Sequence, residues 1–405
     1  MTAMISTPPD TERFHALDVV RAGALLLGVA FHAGFAYTQP HVWVVNDSTS
    51  DPAISAMMFV SHIFRMSLFF VMAGFFARLL LEKRGVKAFA VNRLKRIAVP
   101  LAIFWAPVFA AIITVMILAA LKADPSLAGK PPPPSPPMTV TNFPLTHLWF
   151  LYLLLILYPV ALALRGVVRL VDRGGGLRGA VDRALAASLR LGLAGPLLAL
   201  PLLAALMARE AWLYWFGIPT PDMSLIPNTV ALTAYGTAFG LGWLLNRQQG
   251  LLDILKRQWP LHLALAAALT GYCLWSVGLP PRLDSVPGRE KIAYAAAYGL
   301  AIWSWVFGLI GLAVRFLNTP SAAWRYLADA SYWIYIIHLP LVLALQYAVL
   351  DLPAPAAIKF LIVVAGTLLI ALATYALLVR HGFIGAILNG KKTKTPRKAL
   401  QGHPA

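Results

Sequence analysis

The chain has 405 residues, of which 59% are hydrophobic and 12% charged, with a mean hydropathy of +0.72. Soluble globular chains carry roughly 25% charged residues, so this composition argues against a soluble domain and fits a chain solvated mostly by lipid. The formal net charge of +18 does not point to nucleic acid, because the Lys and Arg residues gather in particular loops and not on one patch.

The apolar runs are long enough to span a bilayer, which takes about 20 predominantly apolar residues at about 1.5 Å rise each. Ten candidate spans follow in chain order, at about 16–38, 54–81, 97–121, 145–165, 190–208, 226–245, 260–279, 292–314, 330–350 and 357–379. The fifth, rich in Leu, Ala, Gly and Pro, and the sixth are the weakest. The first run begins near residue 16 and is too long for a signal h-region, so it reads as a retained helix. The lone Cys273 sits inside an apolar run, so no intramolecular disulfide is expected. The expected fold is all-α: a polytopic transmembrane bundle over 16–379, after a short cytoplasmic segment (1–15) and before a basic cytoplasmic tail (380–405).

Orientation follows from the basic residues of the loops. The loops after spans two and four, the loops between six and seven and between eight and nine, the C-terminal tail and Arg13 together hold 24 Lys and Arg residues. The opposite loops hold seven: Lys122, Lys130, Arg209, Arg282, Arg289, Lys291 and Lys359. Both termini are therefore expected in the cytoplasm. The 122–144 loop carries Pro131 to Pro134, Pro136 and Pro137, a composition that favours extended polyproline backbone. No internal repeat is visible, which removes the usual support for an inverted-repeat transporter.

Ionisable side chains within spans are costly and so are candidates for function. On the first helix Asp18 and Arg21 lie about 60° apart, and Arg21 and His32, eleven residues apart, differ by about 20°. The three form a row on one side of the helix, from its cytoplasmic end to its outer half. His62 and Arg65 share a face of the second span at a depth similar to His32. Intramembrane carboxylates are scarce, so an anionic substrate competes as the partner of Arg65. Small residues after it, Ala73 and Gly74, suit close helix approach. Ser331, Tyr335 and His338 align on the ninth span. His147, Trp149 and Tyr152 open the fourth, where Trp and Tyr are expected interface anchors and acceptor binding is the alternative. The histidines lack metal-ligand spacing, and no P-loop, GxGxxG, GxSxG, HExxH or CxxC occurs.

The stretch Ala16-Leu17-Asp18-Val19-Val20-Arg21-Ala22 with His32 resembles the opening of the acyltransferase family 3 membrane enzymes. So does Phe69 to Phe76 with Arg65, Arg93, Arg96 and Pro100 around it. His147 to Tyr152, and Ser331 through Tyr335 to His338, resemble later family motifs. The ending His381 to Gly385, then Asn389-Gly390-Lys391-Lys392, is similar to the branch that modifies osmoregulated periplasmic glucans, the glucan biosynthesis protein C group. Ala73 departs from the family, where many members have Ser.

The resemblance implies a bacterial inner-membrane O-acyltransferase moving an acyl group, succinyl in the glucan branch, from a cytoplasmic acyl-CoA to a hydroxyl of a periplasmic glucan. It maps the essential Asp, Arg and His onto Asp18, Arg21 and His32, to which the buried charge of Arg65 is added. His32 would be the general base or an acyl carrier. His62, His147, Trp149, Tyr335 and His338 are candidate substrate contacts. No metal and no tightly bound cofactor are expected; succinyl-CoA or acetyl-CoA enters as co-substrate, and the partners are the donor, the glycan and the bilayer. Two alternatives stay open: an O-acetyltransferase for another envelope glycan or small molecule, and a transporter or flippase for an anionic solute.

Overall fold

The computed structural model describes residues 14–131, 134–284 and 289–388. The expected cytoplasmic segment 1–15 and tail 380–405 lie largely outside the described residues. Among the described residues there is no β-strand; Thr139 and Asn142 form an isolated bridge in the proline-rich loop.

Twelve α-helices are described: α1 His15–Gly34, α2 Pro52–Arg93, α3 Val99–Ala123, α4 Trp149–Val171, α5 Gly176–Arg190, α6 Ala194–Met207, α7 Thr229–Arg247, α8 Leu251–Val277, α9 Arg289–Phe316, α10 Ala322–Ala348, α11 Ala356–Thr374 and α12 Phe383–Leu388. Their starts follow ordinary capping chemistry. The Asp51 carboxylate accepts from Ala53 N–H with Pro52 in the first turn, and Asn228 accepts from Ala231 N–H.

Each of the ten expected spans falls on a helix, but the count of ten is not reproduced. Among the described residues seven helices are long and apolar enough to cross a membrane, or eight if α5 and α6, bent by 106°, form one span. Besides that bent pair, which holds the expected fifth span, two features account for the difference. The expected second and third spans form one helical run, Pro52–Ala123, of 72 residues. At 1.5 Å per residue that is roughly 108 Å, several bilayer thicknesses. Gly85 breaks it with φ 75° and ψ 172°, and Leu94–Ala98 is a π-turn. The expected sixth span corresponds to α7, which is not among the seven.

The basic stretch after the fourth span is not a loop, as the charge reading assumed, but helix α5. Exposed Leu177, Val181 and Ala184 recur at helical spacing there. Asp172 begins the helix, accepting from the N–H groups of Leu177 (3.1 Å) and Arg178 (2.9 Å) and from the Arg178 guanidinium (2.9 Å). Those donors, the Arg178 N–H foremost, hold its carboxyl below the ordinary value.

α1 sits centrally and packs against α2, α9 and α10, while α7 lies along α2 and α8 along α9. Gly74 explains one close crossing: a Cβ there would come within 1.9 Å of the Phe239 carbonyl oxygen on α7. The small residues after Arg65 thus do what their size suggested.

Candidate functional site

The α1 row divides between two ends of the bundle. At the first end, Arg21 Nη2 lies 3.2 Å from Asp18 Oδ1 and donates to the Ala328 carbonyl of α10 at 3.1 Å. Arg93 is nearby in character, half-buried, with its guanidinium over the rings of Phe89 and Tyr158. The Tyr332 hydroxyl donates to the Arg96 carbonyl at 2.5 Å.

Three turns further along α1, His32 meets a cluster assembled from four parts of the chain. Its imidazole centre is 5.3 Å from that of His338 on α10, and His338 is 4.9 Å from His147. Neighbouring Phe31 stacks on His62 of α2 at 4.8 Å, and the Arg65 guanidinium carbon lies 4.0 Å from the Phe31 ring centre. The Arg65 stem also runs beside Gly28, one turn before His32. Helical rise alone sets His62 and Arg65 at a depth similar to His32; the helix packing adds His338 and His147 and brings the group together. Among the described residues no three His, Cys, Asp or Glu side chains converge as a metal site.

The hydrogen bonds set the roles of the rings. A backbone carbonyl only accepts, so a ring nitrogen bonded to one must donate, and the other nitrogen of a neutral ring is left with a lone pair. His62 Nε2 donates to the Phe216 carbonyl at 2.7 Å, and His338 Nδ1 to the Tyr335 carbonyl at 2.8 Å. His147 Nε2 lies 3.1 Å from both the Tyr335 and Ile336 carbonyls, while the Tyr335 hydroxyl donates back to the His147 carbonyl at 2.7 Å. Thr146, just before His147, has φ 54°, a conformation uncommon for a non-glycine residue and of a kind that clusters at functional sites. His32 differs: its imidazole makes no hydrogen bond among the described residues, its Nδ1 is buried without a partner, and the residue is half-buried.

Arg65 is 4% exposed, has no carboxylate within ion-pair distance among the described residues, and leaves Nη1 without a hydrogen-bond partner. The nearby Nδ1 atoms of His62 and His147 are also buried and unpartnered. Buried polar groups in folded proteins are nearly always bonded. A buried cation without a carboxylate partner can bond an acceptor oxygen, and the open ring nitrogens can accept from a hydroxyl, so the cluster holds unused bonding capacity of both kinds.

Trp149 does not belong to this cluster. It is 6% exposed, stacks on Tyr235 at 5.4 Å, and makes no ring contact with a histidine, so it is also not an interface anchor. Tyr152, half-buried, donates to the Leu225 carbonyl at 2.8 Å. Lys359, counted with the outer loops, is instead 2% exposed, and its Nζ lies 2.9 Å and 3.1 Å from the two oxygens of Asp47. Sequence reasoning also passed over Trp43 and Gln346. Trp43 Nε1 donates to Gln346 Oε1 at 3.1 Å, and the Gln346 amide donates to the His32 and Ala33 carbonyls at 3.1 and 3.0 Å. Gln346, a polar residue in an apolar helix, was the signal available for that contact.

The apolar helices and the site together define a multi-pass helical membrane protein with a cationic, imidazole-rich interior site. The family model for the acyltransferase domain of acyltransferase 3 proteins matches residues 14–376, so the chain belongs to that family of membrane acyltransferases. Among curated proteins, the glucans biosynthesis protein C of Escherichia coli is 34% identical over 96 residues, 23% of this chain and 24% of that protein. The protein of the same name from Salmonella paratyphi B is 35% identical over 98 residues, 24% of this chain and 25% of that one. The alignments thus span about a quarter of the length of these relatives. No solved structure matches the chain.

Proposed function

We propose that the protein is an O-acyltransferase of the bacterial inner membrane that moves an acyl group, succinyl in the first place, from a cytoplasmic acyl-CoA to a hydroxyl of a periplasmic glucan. The observation that carries this reading is the His32 imidazole. It is the one imidazole of the cluster free of hydrogen bonds, and it sits on the side of the bundle that holds a buried cation with no carboxylate partner.

The residues divide the work as follows. Arg21, steadied by Asp18 and the Ala328 carbonyl, receives the donor phosphates at the cytoplasmic end. His32, roughly 16 Å along α1, takes the proton of the acceptor hydroxyl as its oxygen attacks the thioester carbonyl. The tetrahedral oxyanion collapses, the C–S bond breaks, and the coenzyme A thiolate leaves, to be protonated by the imidazolium. Arg65 supplies positive charge on this side of the bundle, to the oxyanion or to the distal carboxylate of a succinyl group. His338 and His147, their tautomers fixed by backbone carbonyls, keep the ring cluster beside His32 in a defined hydrogen-bonding state.

The names of the partial relatives support a glucan acceptor, and the family supports acyl transfer. The test is the mass of periplasmic glucan extracted from cells with the wild-type protein, with His32→Ala inserted at equal level, and without the protein. One acyl mass added only with the wild type is expected. Equal acylation in all three would refute the reading.

A further inference from the structure

The segment 38–51, between α1 and α2, is folded back onto the histidine cluster and fixed in place. Trp43 N–H reaches Asn46 Oδ1 at 3.4 Å, and Asn46 Nδ2 donates to the Trp43 carbonyl at 2.8 Å, closing a tight turn. The indole N–H is held by Gln346. Asp47 is clamped by buried Lys359 and accepts from Thr49 N–H at 2.9 Å and the Thr49 hydroxyl at 2.7 Å. The Asp47 and Asp51 N–H groups donate to the Ala36 and Tyr37 carbonyls, which tie the turn to the end of α1. Such a strap presents Trp43 rigidly beside His32.

The ring geometry shows how the indole is presented. Phe35 stacks on Trp43 at 4.5 Å and 13°, and His32 lies 5.9 Å from it. Phe35 and His32 are themselves only 6.3 Å apart, too close to lie on opposite faces of that indole. One face of Trp43 therefore carries no aromatic ring, and the residue, which packs against both apolar clusters of the bundle, remains partly exposed. An aromatic face with its N–H already satisfied offers apolar, flat contact and no further hydrogen bond. The C–H face of a pyranose ring matches that surface, and its hydroxyls project from the rim toward a base alongside.

We infer that Trp43 is the acceptor subsite: the face turned away from Phe35 stacks on a sugar ring of the acceptor glycan and aims a hydroxyl of that ring at His32. This rests on the glycan-acceptor reading above. Gln346 is a positioning residue in it, because one amide fixes both the indole and the His32 backbone.

The test uses the full chain in detergent, with succinyl-CoA as donor and isolated periplasmic glucan as acceptor, and measures KM for each substrate. Trp43→Phe keeps a flat aromatic face, whereas Trp43→Leu keeps apolar bulk without one. The expected result is an acceptor KM near wild type for Phe and raised about tenfold for Leu, with the KM for succinyl-CoA unchanged in both. Equal acceptor KM values for Phe, Leu and wild type would overturn the subsite. So would a parallel rise in both KM values for Leu, the mark of a packing role. Absence of glucan acylation by the wild type itself would instead remove the glycan reading, and the subsite with it.

Discussion

Replacing Lys359 with Met isolates the clasp that holds the segment over His32. The Lys359 and Asp47 side chains are 3% and 1% exposed. The ammonium donates to both Asp47 oxygens and to the Leu350 carbonyl at 3.1 Å. Removing one partner of a buried pair strands the other charge and costs about 3–5 kcal/mol. Lys359→Met leaves the Asp47 carboxylate with only its Thr49 donors, so a loss in that range is expected from denaturant unfolding in mixed micelles. The double variant Lys359→Met with Asp47→Asn removes both charges and keeps an acceptor for Thr49, and so should recover a large part of the loss. Lys122 and Asp351 provide the contrast, because that pair is 33% and 80% exposed and Lys122→Ala should cost under about 1 kcal/mol. A Lys359→Met cost as small as that, or a double variant no better than the single, would refute the buried-clasp argument.

Arg65→Met removes a buried charge that has the Phe31 ring but no carboxylate beside it, so unfolding stability should hold or rise while acyl transfer falls by about 10²-fold or more, a divergence that paired unfolding and turnover assays would detect. Gly217→Ala should destabilise the fold, since its φ is 58° and a Cβ would come within 1.8 Å of the Tyr298 hydroxyl; expression and melting in detergent would read it. Asp172→Asn should speed hydrogen exchange in 176–190. Because the folded carboxyl sits below its ordinary value, its contribution is present above the unfolded pKa and is lost as pH falls through the folded one, so α5 in the wild type should loosen on acidification.

The long apolar runs located the helices because a bilayer imposes length and composition directly on sequence. The row Asp18, Arg21 and His32 was legible because helical geometry is local. The meeting of His32 with His338, His147 and the Arg65 side of the bundle was not, since it depends on which helices neighbour one another. Trp149 was misread as an anchor because hydropathy does not distinguish a Trp at the interface from one stacked inside on Tyr235. Lys359 was misplaced for a related reason: loop-charge counting treats each lysine as solvated, and the partner that buries this one lies 312 residues away. Helix α5 was hidden by its arginines, which a positive-inside count assigns to a loop whatever their backbone does. The count of spans was not legible where helical backbone runs on between two apolar stretches, as in Pro52–Ala123, because composition does not mark where a helix ends.

The central claim is that His32 mediates transfer of an acyl group from coenzyme A to a glucan hydroxyl. It is tested most directly with purified protein, radiolabelled succinyl-CoA and isolated periplasmic glucan. The label recovered on glucan is compared between wild type and a His32→Gln variant of matched stability. Label on glucan, matched by released coenzyme A thiol, is expected for the wild type, and none above background for His32→Gln. Equal transfer by the two proteins would contradict it.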